Sequence, residues 1–122
     1  SIAYSEGGVV RVGVVYAPFL EEMFTAVKGQ GAWLNDTLLT VRGATTLRAA
    51  LVATGYPYSR SDTRALEQRT AKVLQHCRDI RRLGSASLDT CYVAANRQDA
   101  YFETVQPWDI AAAALVAREA GA

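Results

Sequence analysis

Residues 1–42 alternate between apolar and polar positions with a period of about two, and short turns rich in glycine or Asn-Asp interrupt the alternation. That period places successive side chains on opposite faces of a β-strand. In residues 22–28, for example, Phe24 and Ala26 face away from their neighbours along the chain. We therefore predict an antiparallel meander. Its strands are expected at residues 2–4, 9–16, 22–28, 32–34 and 38–41, with turns at residues 6–8, 29–31 and 35–36.

The hydrophobic pattern changes near residue 43, where short apolar runs begin to alternate with longer segments of helical periodicity. This alternation predicts three strand–helix units, which imply a sheet with helices packed on it. The strands are expected at residues 51–55, 80–83 and 99–103. The helices are expected after the candidate caps Ser61, Asp62 and Thr63 (with Leu66, Val73, Leu74 and Cys77 on one face), after Gly84-Ser85, and over residues 110–120.

The two parts together predict an α/β protein built as a layered sandwich. Residues 1–42 would supply antiparallel strands of a first sheet, and residues 43–122 the strand–helix units of a second sheet. No Pro/Ser-rich linker separates them, so the switch near residue 43 is interpreted as a change of layer within one domain. A chain of 122 residues suffices for one compact domain.

Composition excludes several classes of function. Half of the residues are hydrophobic, the formal net charge is +1, and the basic residues are scattered, so no nucleic-acid partner is expected. No apolar run reaches the roughly 18 residues that span a bilayer, so no membrane partner is expected either. Cys77 and Cys91 lack metal-ligand spacing, which favours buried free thiols in a reducing cytoplasm. The abrupt start in strand-like sequence at Ser1 indicates a fragment of a longer chain.

Three places carry polar groups at the carboxyl ends of short strands, where open α/β sheets bind ligands. Gly84, Ser85 and Ala86 lead directly into a helix, whose free N–H groups can meet a phosphate or a sugar hydroxyl. Glu103 ends a strand after two aromatic residues and can accept hydrogen bonds from hydroxyls. Asp109 begins the last helix, where a carboxylate suits both capping and a hard cation such as Mg²⁺.

The residue types alone favour plainer roles for all three places. A Gly-Ser pair before a helix is an ordinary cap, Glu103 a solvated strand end, and Asp109 a capping carboxylate. One carboxylate does not make a magnesium site, and neither Asp89 nor Asp99 has an obvious spacing to Asp109. The residues by themselves therefore leave the chemistry open.

Motifs along the chain add a resemblance. Residues 13–18 (GVVYAP) and 28–35 (KGQGAWLN), residues 82–87 (RLGSAS), residues 99–103 (DAYFE), residues 108–112 (WDIAA) and residues 118–121 (REAG) follow one another in a recognisable order. Together they resemble the inositol monophosphatase family, and the resemblance covers nearly the whole chain. Its most specific part is the Trp-Asp pair that starts the last helix.

The resemblance implies a layered α/β sandwich phosphatase, usually a homodimer, in which Mg²⁺ activates water for in-line attack on a phosphate monoester. By motif, Asp109 would be a metal ligand and its helix N-terminus would face the phosphate. Glu103 would bind substrate hydroxyls, and Gly84, Ser85 and Ala86 would line the pocket for the sugar or inositol. The implied partner is a small phosphorylated polyol or sugar, inositol monophosphate first of all.

The sequence departs from the family pattern at three points, and each bears on the function that the resemblance implies. The glutamate and the Asp-Pro-x-Asp-Gly-Thr motif that supply the family's other metal ligands do not occur in this chain, so the 122 residues alone are expected to be inactive. The loop from Glu103 to Asp109 is one residue short, and Ala113 replaces a common glycine. The alternatives are a non-catalytic binding or structural fragment, or a related phosphatase for a nucleotide, fructose bisphosphate or histidinol phosphate.

Overall fold

The first part of the chain forms a five-stranded antiparallel sheet. The computed structural model describes residues 1–44, 46–57 and 63–122. Each strand of this sheet pairs with the next along the chain, so the predicted meander is confirmed. Its strands are β1 (Ile2–Glu6), β2 (Val9–Ala17), β3 (Glu22–Val27), β4 (Ala32–Leu34) and β5 (Thr37–Leu38).

The second part forms three strand–helix units, as the sequence predicts. Its sheet is parallel, and the central strand comes first along the chain, with the next two strands on either side of it. The elements are β6 (Leu51–Thr54), α1 (Thr63–His76), β7 (Asp79–Arg81), α2 (Ala86–Ala94), β8 (Ala100–Phe102) and α3 (Pro107–Glu119). The predicted layered α/β architecture is therefore confirmed.

Helices α2 and α3 lie between the sheets, and α3 packs closely on β2. Phe24 and Ala26 of β3 are fully buried against this helical layer, with Ala112 and Val116 of α3 in the same core. The close packing depends on Gly13, because a Cβ built there would lie 2.7 Å from the main-chain oxygen of Ala112. The contact fixes α3, and with it the start of that helix at residue 107.

Two sequence predictions need correction. The strand expected at residues 38–41 ends at Leu38: Leu39 N still donates to Ala32 O of β4 at 2.8 Å, but Val41 N donates to Ala120 O beyond α3, also at 2.8 Å. The apolar face predicted for α1 is covered only in part: Cys77 is buried in the core of the second sheet. Leu74 is 53% exposed, although Val73 packs on the second sheet.

The candidate caps of α1 can be assessed in part. Ser61 and Asp62 lie outside the described residues, and Thr63 is the first residue of α1 that the structure describes. Cys77 lies one residue beyond the end of α1 and is buried beneath it, while Cys91 lies within α2. Both cysteines are free and buried, as the sequence predicted.

The outer face of the first sheet is apolar and open. A row of paired residues crosses all five strands on this face, and its large side chains at both ends are exposed. The row runs Ile2, Val14, Thr25, Trp33, Leu38. An apolar face of this kind is typical of a packing surface.

Candidate active site

A cavity of about 480 Å³ opens where the carboxyl ends of all three parallel strands meet the N-termini of α2 and α3. Parallel strands end at one edge of a sheet, so polar residues that follow them in sequence come together there. All five residues singled out in the sequence line this cavity. The lining comprises Gly55, Tyr56, Pro57, Arg82, Gly84, Ser85, Ala86, Ser87, Asp89, Glu103, Thr104, Val105, Gln106 and Asp109.

Gly84, Ser85 and Ala86 form the wall at the start of α2. Gly84 adopts a left-handed backbone conformation (φ 96°), which turns the chain from β7 into the helix. The Ser85 hydroxyl accepts a hydrogen bond from Leu88 N at 3.4 Å, so Ser85 is the N-cap. The capping role therefore exists, and it leaves the same residues facing the cavity. The first amides of a helix have no partner within it, so this wall offers hydrogen-bond donors.

Glu103 follows β8 and is held by two neighbours. Its Oε2 accepts a hydrogen bond from the Tyr101 hydroxyl. The carboxylate also lies against Gly55, since a Cβ built there would lie only 1.9 Å from Oε2. Burial and the adjacent Glu103 carboxylate both raise the pKa of Tyr101, so this phenol remains a donor at neutral pH. Glu103 is therefore a fixed acceptor, not the freely solvated strand end that its residue type favoured.

Asp109 occupies the third position of α3. Its Oδ2 accepts a hydrogen bond from Gln106 N at 2.8 Å, which makes it part of a capping box. Within the described part of the chain, no hydrogen bond reaches the other carboxylate oxygen, Oδ1, and the side chain lines the cavity. The cap and a role as ligand are thus compatible, because each can use a different oxygen.

Asp89 is the cavity residue that the sequence reasoning missed. It lies within α2, is 1% exposed, and nevertheless lines the cavity with Glu103 and Asp109. Burial raises the pKa of the Asp89 carboxyl, a hydrogen bond from Gln98 opposes the rise, and the negative charge of Glu103 adds to it. A signal was available, because Asp89 is the one charged residue among the nine of α2. Strand spacing could not connect it to Asp109, since the two meet only in the folded chain.

The donor set fits a hard cation only in part. Carboxylate oxygens are the ligands that Mg²⁺ prefers, and three carboxylates face this cavity. Across residues 1–44, 46–57 and 63–122, however, no three side chains of His, Cys, Asp or Glu are grouped closely enough to hold a metal ion. The described residues can therefore contribute a ligand to a metal site, and by themselves they do not complete one.

Each of the other surface cavities described is lined by fewer carboxylate side chains. A cavity of about 480 Å³ along α1 is lined mostly by apolar and hydroxyl side chains, with Glu67 as its single carboxylate. A wider groove of about 750 Å³ runs beside α3 and is lined largely by aliphatic residues. Among the described helices, none is long and apolar enough to cross a bilayer. The cavity at the strand ends is therefore the candidate site.

Comparison with known proteins decides the family. The inositol monophosphatase family model matches residues 1–122. The chain belongs to the inositol monophosphatase family. The protein named Nus factor SuhB of Pasteurella multocida (strain Pm70) is 48% identical over 125 residues, an alignment that covers 99% of this chain and 46% of the relative. The chain thus spans about half the length of the curated relatives that it matches.

Solved structures share the fold across almost the whole chain. Mycobacterium tuberculosis SuhB superposes with a TM-score of 0.92 at 41% identity, covering 98% of this chain and 51% of that one. The inositol monophosphatase from Anabaena (Nostoc) sp. PCC 7120 superposes with a TM-score of 0.87 at 34% identity, covering 93% of this chain and 47% of that one. Both similarities are high enough to confirm the inositol monophosphatase fold.

Proposed function

We propose that the intact parent protein hydrolyses a small phosphate monoester with Mg²⁺, and that inositol monophosphate is its substrate. One observation carries the proposal: Gly84, Ser85, Ala86, Glu103 and Asp109, separated by up to 25 positions, converge on one cavity. The family supports the reaction class, and the Anabaena relative is itself named an inositol monophosphatase. A cytoplasmic homodimer is the proposed form of the parent.

Each residue has a part in this proposal that matches its environment. Bound Mg²⁺ would polarise the phosphate and lower the pKa of an attacking water. Asp109 would be one of its ligands through Oδ1, while Oδ2 keeps the cap on Gln106 N. Glu103 would accept a hydrogen bond from a substrate hydroxyl, and the start of α2 at Ser85 and Ala86 would donate to it. The remaining ligands would come from the part of the parent that this chain does not span.

The test is Asp109→Asn in the intact parent, assayed for phosphate release from inositol 1-phosphate with and without Mg²⁺. Asparagine keeps an oxygen for Gln106 N and removes the charge, so the helix cap survives and the metal ligand is weakened. We expect release by the wild type to require Mg²⁺, and the variant to lose about 100-fold or more in kcat.

Asp99→Asn is the matched control. The Asp99 carboxylate also accepts a main-chain hydrogen bond, from Leu51 N at 2.7 Å, but it does not line the cavity. The control should retain full turnover. Undiminished turnover in Asp109→Asn would remove that residue from the mechanism, and a wild-type parent inactive towards phosphate monoesters would overturn the proposed function.

A non-catalytic binding role is the second candidate. The Pasteurella multocida relative carries the name Nus factor SuhB, which names no phosphatase, and the described residues form no complete metal site. That name also leaves room for a partner other than a small substrate, so the expectation that nucleic acid is not a partner does not enter this proposal. An Asp-Pro-x-Asp-Gly-Thr motif in the parent, ahead of Ser1, would favour the enzyme. A substrate panel including a nucleotide, fructose bisphosphate and histidinol phosphate would separate the related phosphatases.

A further inference from the structure

Asp89 is a buried carboxylate that the proposed reaction does not use. It is 1% exposed and lies within α2. Burying a carboxylate is costly unless its oxygens are satisfied. Gln98, itself 5% exposed, satisfies one side of the group: its Nε2 donates to Asp89 O at 2.7 Å and to Oδ1 at 3.1 Å. Within the described part of the chain, no hydrogen bond reaches Oδ2.

The unpaired oxygen belongs to a side chain that lines the cavity. Glu103 lines the same cavity and is close enough for its charge to act on Asp89. The two carboxylates are supported in the same way. Gln98 donates to Asp89 from within the fold, and Tyr101 donates to Glu103 from its own strand. Each therefore has a fixed orientation and capacity left for a ligand on the cavity side.

We propose that Asp89 is a second hydroxyl-binding carboxylate, which acts with Glu103 to bind two neighbouring hydroxyls of the substrate. This proposal rests on the proposed phosphatase function and specifies its substrate class. A hydroxyl suits Oδ2 because it can both donate and accept a hydrogen bond. Ser85 and Ser87, whose hydroxyl oxygens are 3.4 Å apart, add further polar groups to the same wall.

The substrate class follows from the pairing. A cyclic polyol or sugar phosphate with adjacent free hydroxyls would satisfy both carboxylates. A phosphate ester of an aromatic or alkyl alcohol would offer no hydroxyl to Oδ2 of Asp89, a side chain that is only 1% exposed. Since an unpaired buried polar group costs more than a hydrogen bond gains, the pair discriminates mainly against substrates that lack hydroxyls.

The experiment measures binding, so it does not depend on turnover. Two non-hydrolysable ligands are titrated calorimetrically into the intact parent with Mg²⁺: the phosphonate analogue of inositol 1-phosphate, and cyclohexylmethylphosphonate, which has no ring hydroxyl. The ratio of their dissociation constants isolates the contribution of the hydroxyls. We expect Asp89→Asn to weaken the inositol ligand about tenfold and to leave the cyclohexyl ligand unchanged.

Two further variants guard against a structural explanation. Gln98→Met frees Asp89 Oδ1 from its donor without touching the cavity lining, and it should shift the ratio in the same direction by a smaller factor, about threefold. Asp79→Asn, outside the cavity, should leave both affinities unchanged. A purely structural Asp89 would instead lower both affinities together in Asp89→Asn.

The outcomes separate this proposal from the proposed function. Equal loss for both ligands, or no loss for either, in Asp89→Asn would overturn the role of Asp89 even if the parent is an active phosphatase. A wild type that binds both ligands equally would overturn it as well. Conversely, a parent that discriminates through Asp89 but releases no phosphate would retain the hydroxyl-binding pair and lose the proposed reaction.

Discussion

The first sheet of this chain forms the larger packed core, whereas the second sheet carries the residues of the candidate site. The first sheet has strands of up to nine residues and packs on α2 and α3 through a core of many fully buried side chains. The second has strands of three or four residues, and the core cluster beside α1 holds, among the described residues, only three that are buried: Ala50, Val52 and Cys77. Among the described residues, those that line the candidate site lie after the strands of the second sheet or within α2 and α3, and none belongs to the first sheet.

The difference shows how a weakly packed sheet can hold a precise site. Short parallel strands bury little apolar area, so the second sheet gains little stability from its own core. Its strands instead deliver polar residues to one edge. The orientation of that edge depends on α3, which packs against Gly13 of the first sheet at Ala112, five residues after the helix begins. The first sheet therefore fixes the position of the polar residues that follow the strands of the second sheet.

One glycine within the first sheet and one directly after β6 of the second test this division with the same substitution. The largest effect is expected from Gly13→Ala, because the new Cβ would lie 2.7 Å from Ala112 O, a main-chain atom that cannot move unless α3 moves. We expect the free energy of unfolding of the intact parent to fall by about 1–3 kcal/mol, measured by urea denaturation. Activity should fall too, since α3 carries Asp109. Unchanged stability would show that α3 is not fixed by this contact.

Gly55→Ala should have the opposite profile. Here the new Cβ would meet the Glu103 carboxylate at 1.9 Å, and because this is a side-chain group and not main chain, Glu103 can leave its place against the strand end. We expect kcat/KM for inositol 1-phosphate to fall about tenfold, with the free energy of unfolding changed by less than about 0.5 kcal/mol. A crystal structure of the variant would show whether the carboxylate has moved. Full activity with a displaced Glu103 would contradict its role in substrate binding.

The first sheet was largely predictable from sequence, and the reason is physical. Its strands have one buried and one open face, so residues such as Phe24 and Met23 alternate, and the period of two reports the fold directly. Only its end was wrong. Residues 39–41 keep the strand-like pattern, but Val41 bonds with Ala120 beyond α3, a partner that local pattern cannot reveal.

The residues of the site that belong to motifs or follow the ends of strands were predictable from sequence. Gly84, Glu103 and Asp109 follow strands or start helices, and their positions follow from the order of elements. Asp89 follows no strand and belongs to no motif singled out in the sequence, so its place in the cavity depends on how α2 packs against β8. The apolar face predicted for α1 is covered only in part for a similar reason. Periodicity specifies an apolar face but not what covers it, and Leu74 is exposed.

The smallest expected effect concerns the charges that fasten the helical layer to the first sheet. Arg97, just beyond α2, donates to both carboxylate oxygens of Glu22 on β3 at 2.5 and 2.8 Å, and it lowers the pKa of Glu22. At the end of α3, the carboxylate oxygens of Glu119 accept from Gly29 N and Gly31 N at 2.9 and 3.0 Å, and these bonds lower the pKa of Glu119. Both groups are thus bound more tightly as carboxylates than as acids.

The direction of the pH dependence follows from those lowered pKa values. Stability from either group is complete above the ordinary glutamate pKa of 4.5 and is lost as the pH falls below it through the folded value. The urea midpoint should therefore fall between pH 5 and pH 3, and Glu22→Gln should flatten part of that fall at a cost below about 1 kcal/mol at pH 7, because Arg97 is partly solvated. Asp79 allows the same measurement in the second sheet, because its neighbour Arg81 within β7 lowers the pKa of Asp79. Since that ion pair joins no two layers, Asp79→Asn should change the pH profile less than Glu22→Gln does. An equal change would mean that the ion pair between layers and the ion pair within β7 contribute equally to the pH dependence of stability.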